Sequence, residues 1–270
     1  MRGLVITADD AGRELASSQE IAALLAESRI TATTLIPVAD DAEAALELVG
    51  AHLPRVHATF TSEGGSPAWS PLSGGASLTG GDGRFSYDPF EFANRATTQD
   101  VATELAAQYD WFVARGVTPT GLDSHSGTLY GLHGNSFMEV TLRFCAAHGL
   151  AFRLPRTAES YWGAALPEPF AAAHQMAVDA ADALGVALPA AMVTNRLSAA
   201  EVGSYEGLRD HYLMLLDLLP ADGTSELFLH PAPASVGLPT REWELRLLRD
   251  DRFQAAVDDS FDRVSDWVAR

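Results

Sequence analysis

Along the first half of the chain, short apolar runs alternate with stretches of helical periodicity. Residues 3–7 read as a strand, and 17–28 as a helix carrying Ile21, Leu24 and Leu25 at helical spacing. β-branched residues make 31–38 strand-like, with a stop near Pro37. A helix over 41–51 follows, with Asp40 and Asp41 suited to its N-terminal end, then a strand over 55–60. The pattern predicts a long helix over 98–115 closed by Gly116, a strand at 121–123, a helix over 135–148 and a strand at 152–154. The remainder predicts a helix over 205–219, a strand over 226–229 running into His230 and Pro231, and helices over 240–249 and 253–268. The apolar positions within 243–248 and 264–268 read as packing faces of those last two helices. Such strand–helix alternation predicts a parallel α/β architecture. Periodicity alone does not separate an open doubly wound sheet from a closed barrel.

Two stretches break the alternation. Residues 64–83 are rich in Gly, Ser and Pro and read as a long lid loop. Residues 157–204 mix helical patches with turn signals and read as an insertion over one face of a single domain spanning 1–270.

Composition narrows the classes. With 270 residues, 47% of them hydrophobic and 20% charged, the chain can bury a core without staples. Cys145 is the single cysteine, which excludes an intramolecular disulfide and a Cys-based zinc cage; its helical setting reads as a buried, inert thiol. The net charge is −18, which disfavours nucleic acid as a partner. Every one of the 18 basic residues is Arg, so a Schiff-base lysine and a Walker A lysine are both excluded. No Gly-x-Gly-x-x-Gly follows the first strand, which weakens a dinucleotide-binding reading. The opening apolar run is too short for a signal peptide and no run is long enough to span a bilayer, so the expected compartment is the cytoplasm.

The placement of Asp and His carries the chemistry. Asp9 and Asp10 follow the first strand, His57 lies near the carboxyl end of the third, Asp123 and His125 end the strand begun at Gly121, and His230 ends the last. In parallel α/β proteins the carboxyl edge of the sheet gathers ligands and catalytic groups. Four strands therefore deliver Asp or His to one rim, which suits a metal held by oxygen and nitrogen ligands with positions open for water and substrate. Adjacent carboxylates repel unless a cation or a raised pKa relieves them. Each residue also has a plainer reading: an acidic pair caps helices, and a lone strand-end His is commonly a bonded core residue. His52, His148, His174 and His211 lie in or beside helices and read as structural, while His133 in the loop after His125 is open. Trp69, Phe85 and Tyr87 could stack on a sugar ring or anchor their loop.

Four ordered blocks resemble the YdjC-like carbohydrate deacetylase family. LVITADDAG at 4–12 is similar to the family's ADDFG opening, RVHATFT at 55–61 to GLHLTLT, PTGLDSHSGTLY at 119–130 to PTHLDSH, and ELFLHP at 226–231 to ELMCHP. FRLPR at 152–156 resembles VRLPR. The chain departs from the pattern at Ala11 (Phe in the family), at Val56 (Gly) and at Ser126 and Gly127, where further histidines are usual. The resemblance implies a distorted TIM-like (β/α) barrel of the polysaccharide-deacetylase type. It further implies one divalent metal ion, magnesium or zinc, and removal of an acetyl group from an N-acetylated sugar. Asp10, His57 and His125 would be the metal ligands, Asp9 the general base and His230 the general acid. Asp123, Arg153, Arg156, Glu63 and Trp69 are the candidates for binding substrate or orienting those groups. The implied partners are an acetylated mono- or oligosaccharide or a glycolipid headgroup, and a second copy of the chain as a homodimer. A metal-assisted phosphoesterase and a non-catalytic sugar-binding protein are the competing readings; the presence of all five site residues speaks against the second.

Overall fold

The computed structural model describes residues 2–65 and 67–267. The strands are β1 (Arg2–Ala11), β2 (Ala32–Leu35), β3 (Arg55–Ala58), β4 (Gly121–Ser124), β5 (Ala151–Phe152), β6 (Met192–Val193), β7 (Gly223–Leu229) and β8 (Asp262–Arg263). The helices are α1 (Leu15–Ala26), α2 (Ala42–Val49), α3 (Pro89–Arg95), α4 (Thr98–Val113), α5 (Met138–His148), α6 (Glu159–Trp162), α7 (Phe170–Leu184), α8 (Ala199–Val202), α9 (Tyr205–Asp217), α10 (Pro239–Leu248) and α11 (Asp251–Ser260). All pairings between these strands are parallel, in the order β5-β4-β3-β2-β1-β7-β6, and the sheet curls into a half-barrel of the distorted TIM-like kind. The open edge is bridged irregularly: Phe152 N–H donates to Ala187 O at 2.9 Å and Arg156 N–H to Pro189 O at 2.9 Å.

The period of two along each strand sorts side chains between two environments. Leu4, Ile6 and Ala8 of β1, Val56 of β3, Leu122 of β4, Phe152 of β5 and Leu227 of β7 pack outward into the main apolar core under the helices. Their neighbours point inward. At the amino-terminal end of the barrel the interior is apolar, with Val5, Ala32, Ala151 and Trp267 packed together. Higher up, Thr7, Arg55, Asp123, Arg153 and Glu226 are all buried. The interior is thus a stack of charges standing on a small apolar floor.

The elements start and stop where local chemistry directs. Thr97 caps α4 by accepting from Asp100 N–H at 3.2 Å, and Asp250 caps α11 by accepting from Arg252 N–H at 2.9 Å. Asp41 does not cap its own helix; its carboxylate accepts from Leu15 N–H, at the start of α1, at 2.8 Å. The 64–83 segment is rooted by Trp69 and Leu78, both in the main core, with an isolated bridge from Thr79 to Phe85. The 157–204 stretch contributes α6, α7 and α8, and its β6 is a strand of the sheet, paired to β7. Cys145 is buried in α5, and burial pushes its thiol pKa up to about 12.

The end of the chain departs from the expected helix over 253–268. α11 stops at Ser260, and β8 pairs with Gly3 and Leu4 of β1. Those residues precede the part of β1 that β2 covers, which begins at Thr7. β7 pairs with one edge of them, and β8 takes the other edge, which would otherwise be unpaired. Trp267 then turns in to close the barrel floor instead of serving a helix face. Val268 lies outside the described residues.

Candidate active site

Consecutive residues of a strand face opposite sides, yet Asp9 and Asp10 both reach the interior. The cause is a register shift in the β1–β2 pairing between Ala8 and Ala11, where Asp10 adopts a φ of 70°. The irregularity re-aims one side chain, as β-bulges do. A left-handed non-glycine residue costs free energy and persists where its surroundings impose it. Asp10 Oδ1 ends 3.1 Å from His57 Nε2 and 3.5 Å from His125 Nδ1. His57 comes from β3, and His125 opens the short 3₁₀ turn after β4.

Arg153, immediately beyond β5, is the centre of the charge stack. It donates to both oxygens of Asp9 at 2.7 and 2.9 Å, to both oxygens of Glu226 at 2.9 and 3.0 Å, and to Asp123. Its guanidinium lies 4.8 Å over the Phe228 ring. Below it, Arg55 donates to Glu226 at 3.2 Å and stacks 3.8 Å over Trp267. Gly121 makes room for that arginine, because a Cβ there would stand 3.1 Å from Arg55 Cδ. Asp123 passes the stack on to the rim by pairing with His57 Nδ1 at 2.7 Å, a contact that fixes the orientation of the ring.

Ionisation follows from these contacts. Burial by itself raises a carboxyl pKa, yet the Arg153 charge, with His57 and His230, brings Asp9 below the usual carboxylate range. Burial is likewise outweighed at Asp10, where Arg241 and the His125 and His57 rings hold the carboxyl well below that range. For His57, burial opposes the charge, but Asp123, Asp10 and Asp9 hold its pKa up at about 10. At Glu226 burial prevails over Arg153 and Arg55, and the pKa is raised.

Four buried carboxylates (Asp9, Asp10, Asp123, Glu226) meet three guanidiniums (Arg55, Arg153, Arg241) in this network, so it calls for one more positive charge. A protonated His57 supplies it, and so would a cation. Among the described residues, two triads are close enough to hold an ion: Asp10, His57 and His125, and Asp9, His57 and Asp123. They differ in what their atoms already do. Asp9 and Asp123 are engaged by Arg153, whereas Asp10 Oδ1 and His125 Nε2 are buried without an aligned hydrogen-bond partner. Buried polar atoms are normally satisfied, so the first triad has the unmet demand that an ion fits.

His230 lies one residue past β7, with its Nε2 3.9 Å from Asp9 Oδ2 and its side chain 31% exposed. Its backbone N–H donates to Glu244 Oε2 at 2.7 Å, and the other oxygen of Glu244 accepts from Tyr212 at 2.6 Å. Three residues earlier on α10, Arg241 donates to Asp10 Oδ2 at 2.7 Å and to Glu63 at 3.1 Å. One face of α10 therefore touches both ends of the site.

Of the remaining residues singled out in the sequence, Arg153, Asp123 and Glu63 join this network. Trp69 is buried, with its ring edge-on to His125 at 5.7 Å between centroids, so it backs that histidine and is not open for stacking. Phe85 is buried as well. Arg156 stands apart: beyond the strand end, it pairs with Asp182 at 2.6 Å on the surface. His133 rests on Ser126 O at 3.0 Å. Sequence reasoning missed Arg55, Glu226, Arg241 and Glu244. The period of two could have found the first two, since Arg55 shares a strand face with His57, and Glu226 with His230. No motif marked the other two.

Among solved structures, the chain resembles that of an Enterococcus faecalis V583 protein put forward as a cellobiose-phosphate cleavage protein. The TM-score is 0.72 and the identity 21%, covering 96% of this chain and 95% of that one. Such a likeness speaks for the fold. No curated protein matches the chain. The model of the family described as YdjC-like protein matches residues 3–259. The chain belongs to the YdjC-like family.

Proposed function

We propose that this protein is a metal-dependent hydrolase that removes the acetyl group from an N-acetylated sugar. The observation that carries the reading is the Asp10–His57–His125 triad, with its two unsatisfied buried atoms, set beside Asp9 and His230. The family and the name given to the structural neighbour support a carbohydrate ligand.

A divalent ion held by Asp10, His57 and His125 would polarise the acyl oxygen and lower the pKa of water beside it. The chain's own residues account for the protons. Amide hydrolysis adds water across the C–N bond: oxygen ends on the acetyl carbon, and the nitrogen leaves as an amine. Asp9, kept ionised by Arg153, takes the proton from water. His230, with its Nε2 3.9 Å from Asp9 Oδ2 and at the exposed side of the site, gives a proton to the departing nitrogen. Arg241 occupies Asp10 Oδ2 and leaves Oδ1 turned to the histidines.

Elemental analysis and acetate release test this together. Wild-type protein is expected to carry about one divalent ion per chain, lost in His125→Ala, and to release acetate from N-acetylglucosamine or its oligomers with added magnesium or zinc. Equal metal in both proteins removes His125 from the ligand set. Absence of acetate release from all such sugars sinks the activity. Arg241→Gln is expected to weaken metal affinity by about 10–100-fold, the usual consequence of freeing a ligand from its orienting partner. Unchanged affinity would leave Arg241 as a tether for Glu63 only.

A further inference from the structure

Aromatic side chains reach outward from His230 along the carboxyl rim. Phe228, two residues before it on β7, has its ring centroid 6.0 Å from that of His230. Tyr161 lies nearly parallel to Phe228, at 6.4 Å and 20°. Trp162 meets Tyr161 edge-on at 5.5 Å. The Arg196 guanidinium covers both rings, 4.4 Å from the centre of Trp162 and 4.9 Å from that of Tyr161.

Topology puts these groups on the side where the site opens. Tyr161 and Trp162 belong to α6, which follows β5, and Arg196 follows β6; both connections leave the carboxyl edge of the sheet, as His230 does. Packing does not account for them. Neither Tyr161 nor Trp162 takes part in the apolar cores, and Trp162 is 39% exposed. Arg196 is exposed, and among the described residues its NH1 alone has a hydrogen-bond partner, Tyr161 O at 3.2 Å. An exposed indole joined to a guanidinium with donors to spare suits a pyranose ring, whose C–H face lies on the aromatic and whose hydroxyls accept from the arginine. Two ring-to-ring steps separate Tyr161 from His230, too far for contact with the acetamide.

We infer that Tyr161, Trp162 and Arg196 form a subsite for a neighbouring sugar unit, so the substrate has at least two rings. This rests on the deacetylase reading above and deepens it. It also moves sugar stacking from the 64–83 loop, where Trp69 is buried, to the segment after β5.

The test compares N-acetylglucosamine with its β-1,4-linked dimer, using wild type, Trp162→Ala, Trp162→Phe and Arg196→Gln. Trp162→Ala is expected to raise KM for the dimer about three- to tenfold, leave kcat unchanged and leave the monosaccharide unaffected. Trp162→Phe should recover most of the loss, and Arg196→Gln should share it. An equal change for both sugars, or none for either, overturns the subsite. If wild type releases no acetate from either sugar, calorimetric titration with the dimer decides. Binding that is lost in Trp162→Ala but kept in His125→Ala supports the subsite and fails the deacetylase reading alone. Dimer binding that is absent from wild type, or equal in Trp162→Ala, overturns the subsite itself.

Discussion

Asp9→Asn is expected to lower acetate release by about 10²–10⁴-fold while leaving the metal content of the protein unchanged. The substitution keeps the shape of the side chain and removes its capacity to take a proton. Asp10, His57 and His125 are untouched, and Asp10 keeps its bond to Arg241. The cost in stability is modest. Asp9 accepts from Arg153 through both oxygens and from Thr34 at 2.9 Å. An amide can retain one acceptor, and Arg153 still has Asp123 and Glu226. A loss of about 1–3 kcal/mol follows from the impaired pair. Acetate release, elemental analysis and a thermal melt separate the three effects. Wild-type turnover in the variant would remove Asp9 from the mechanism, and loss of metal would place it among the ligands.

The largest effect on stability is expected at Arg153. Arg153→Met leaves Asp9, Asp123 and Glu226 without their shared partner, and breaking a buried charge network costs about 3–5 kcal/mol. Lysine is no substitute, because a point charge cannot bond three carboxylates in the fork geometry that guanidinium provides. The deficit has a pH signature. In wild type the folded pKa of Asp9 is lowered, so its contribution is present above the unfolded value of 3.8 and is lost as pH falls through the folded one. In the variant the carboxylates lose the cation that held them ionised, so acid relieves their repulsion. The gap between variant and wild type should therefore be widest near neutrality and narrow toward about pH 4. A gap that stays constant over that range would assign the loss to packing against Phe228 and not to charge.

The strand-end residues were legible because a parallel sheet gives them a common address. Asp9, Asp10, His57, His125 and His230 stand where the apolar runs stop; the structure groups Asp10 with His57 and His125, and sets His230 beside Asp9. Alternation puts Arg55 on the face of His57 and Glu226 on that of His230, but charged residues at the head of a strand look like flanks until the sheet curls and turns them inward. Closure itself leaves no mark on periodicity. β6 is two residues long, too short for any period to show, so the stretch around it resembled an insertion. Arg241 and Glu244 sit on an amphipathic helix far along the chain, where polar residues three apart read as a solvated face. At the end of the chain, Phe253, Val257, Phe261 and Val264 keep helical spacing past the point where the backbone extends, because an open edge of β1 competes for it. Arg153 and Arg156 were equal candidates by resemblance; only the first continues the inward face shared with Ala151.

The pairing of β1 with β7, Arg2 with Gly223 through Ala8 with Leu229, sets an order of events during synthesis. Once β1 has left the ribosome it waits for this partner, roughly 200 residues later, for about 10–40 s at ordinary elongation rates. Throughout that interval an apolar strand offers an open edge, the kind that recruits other chains. Asp9 and Asp10 stand at the end of that edge before Arg153 and Arg241 exist to neutralise them. Until the barrel closes, the pair that later serves the site acts as a repulsive guard on the nascent strand.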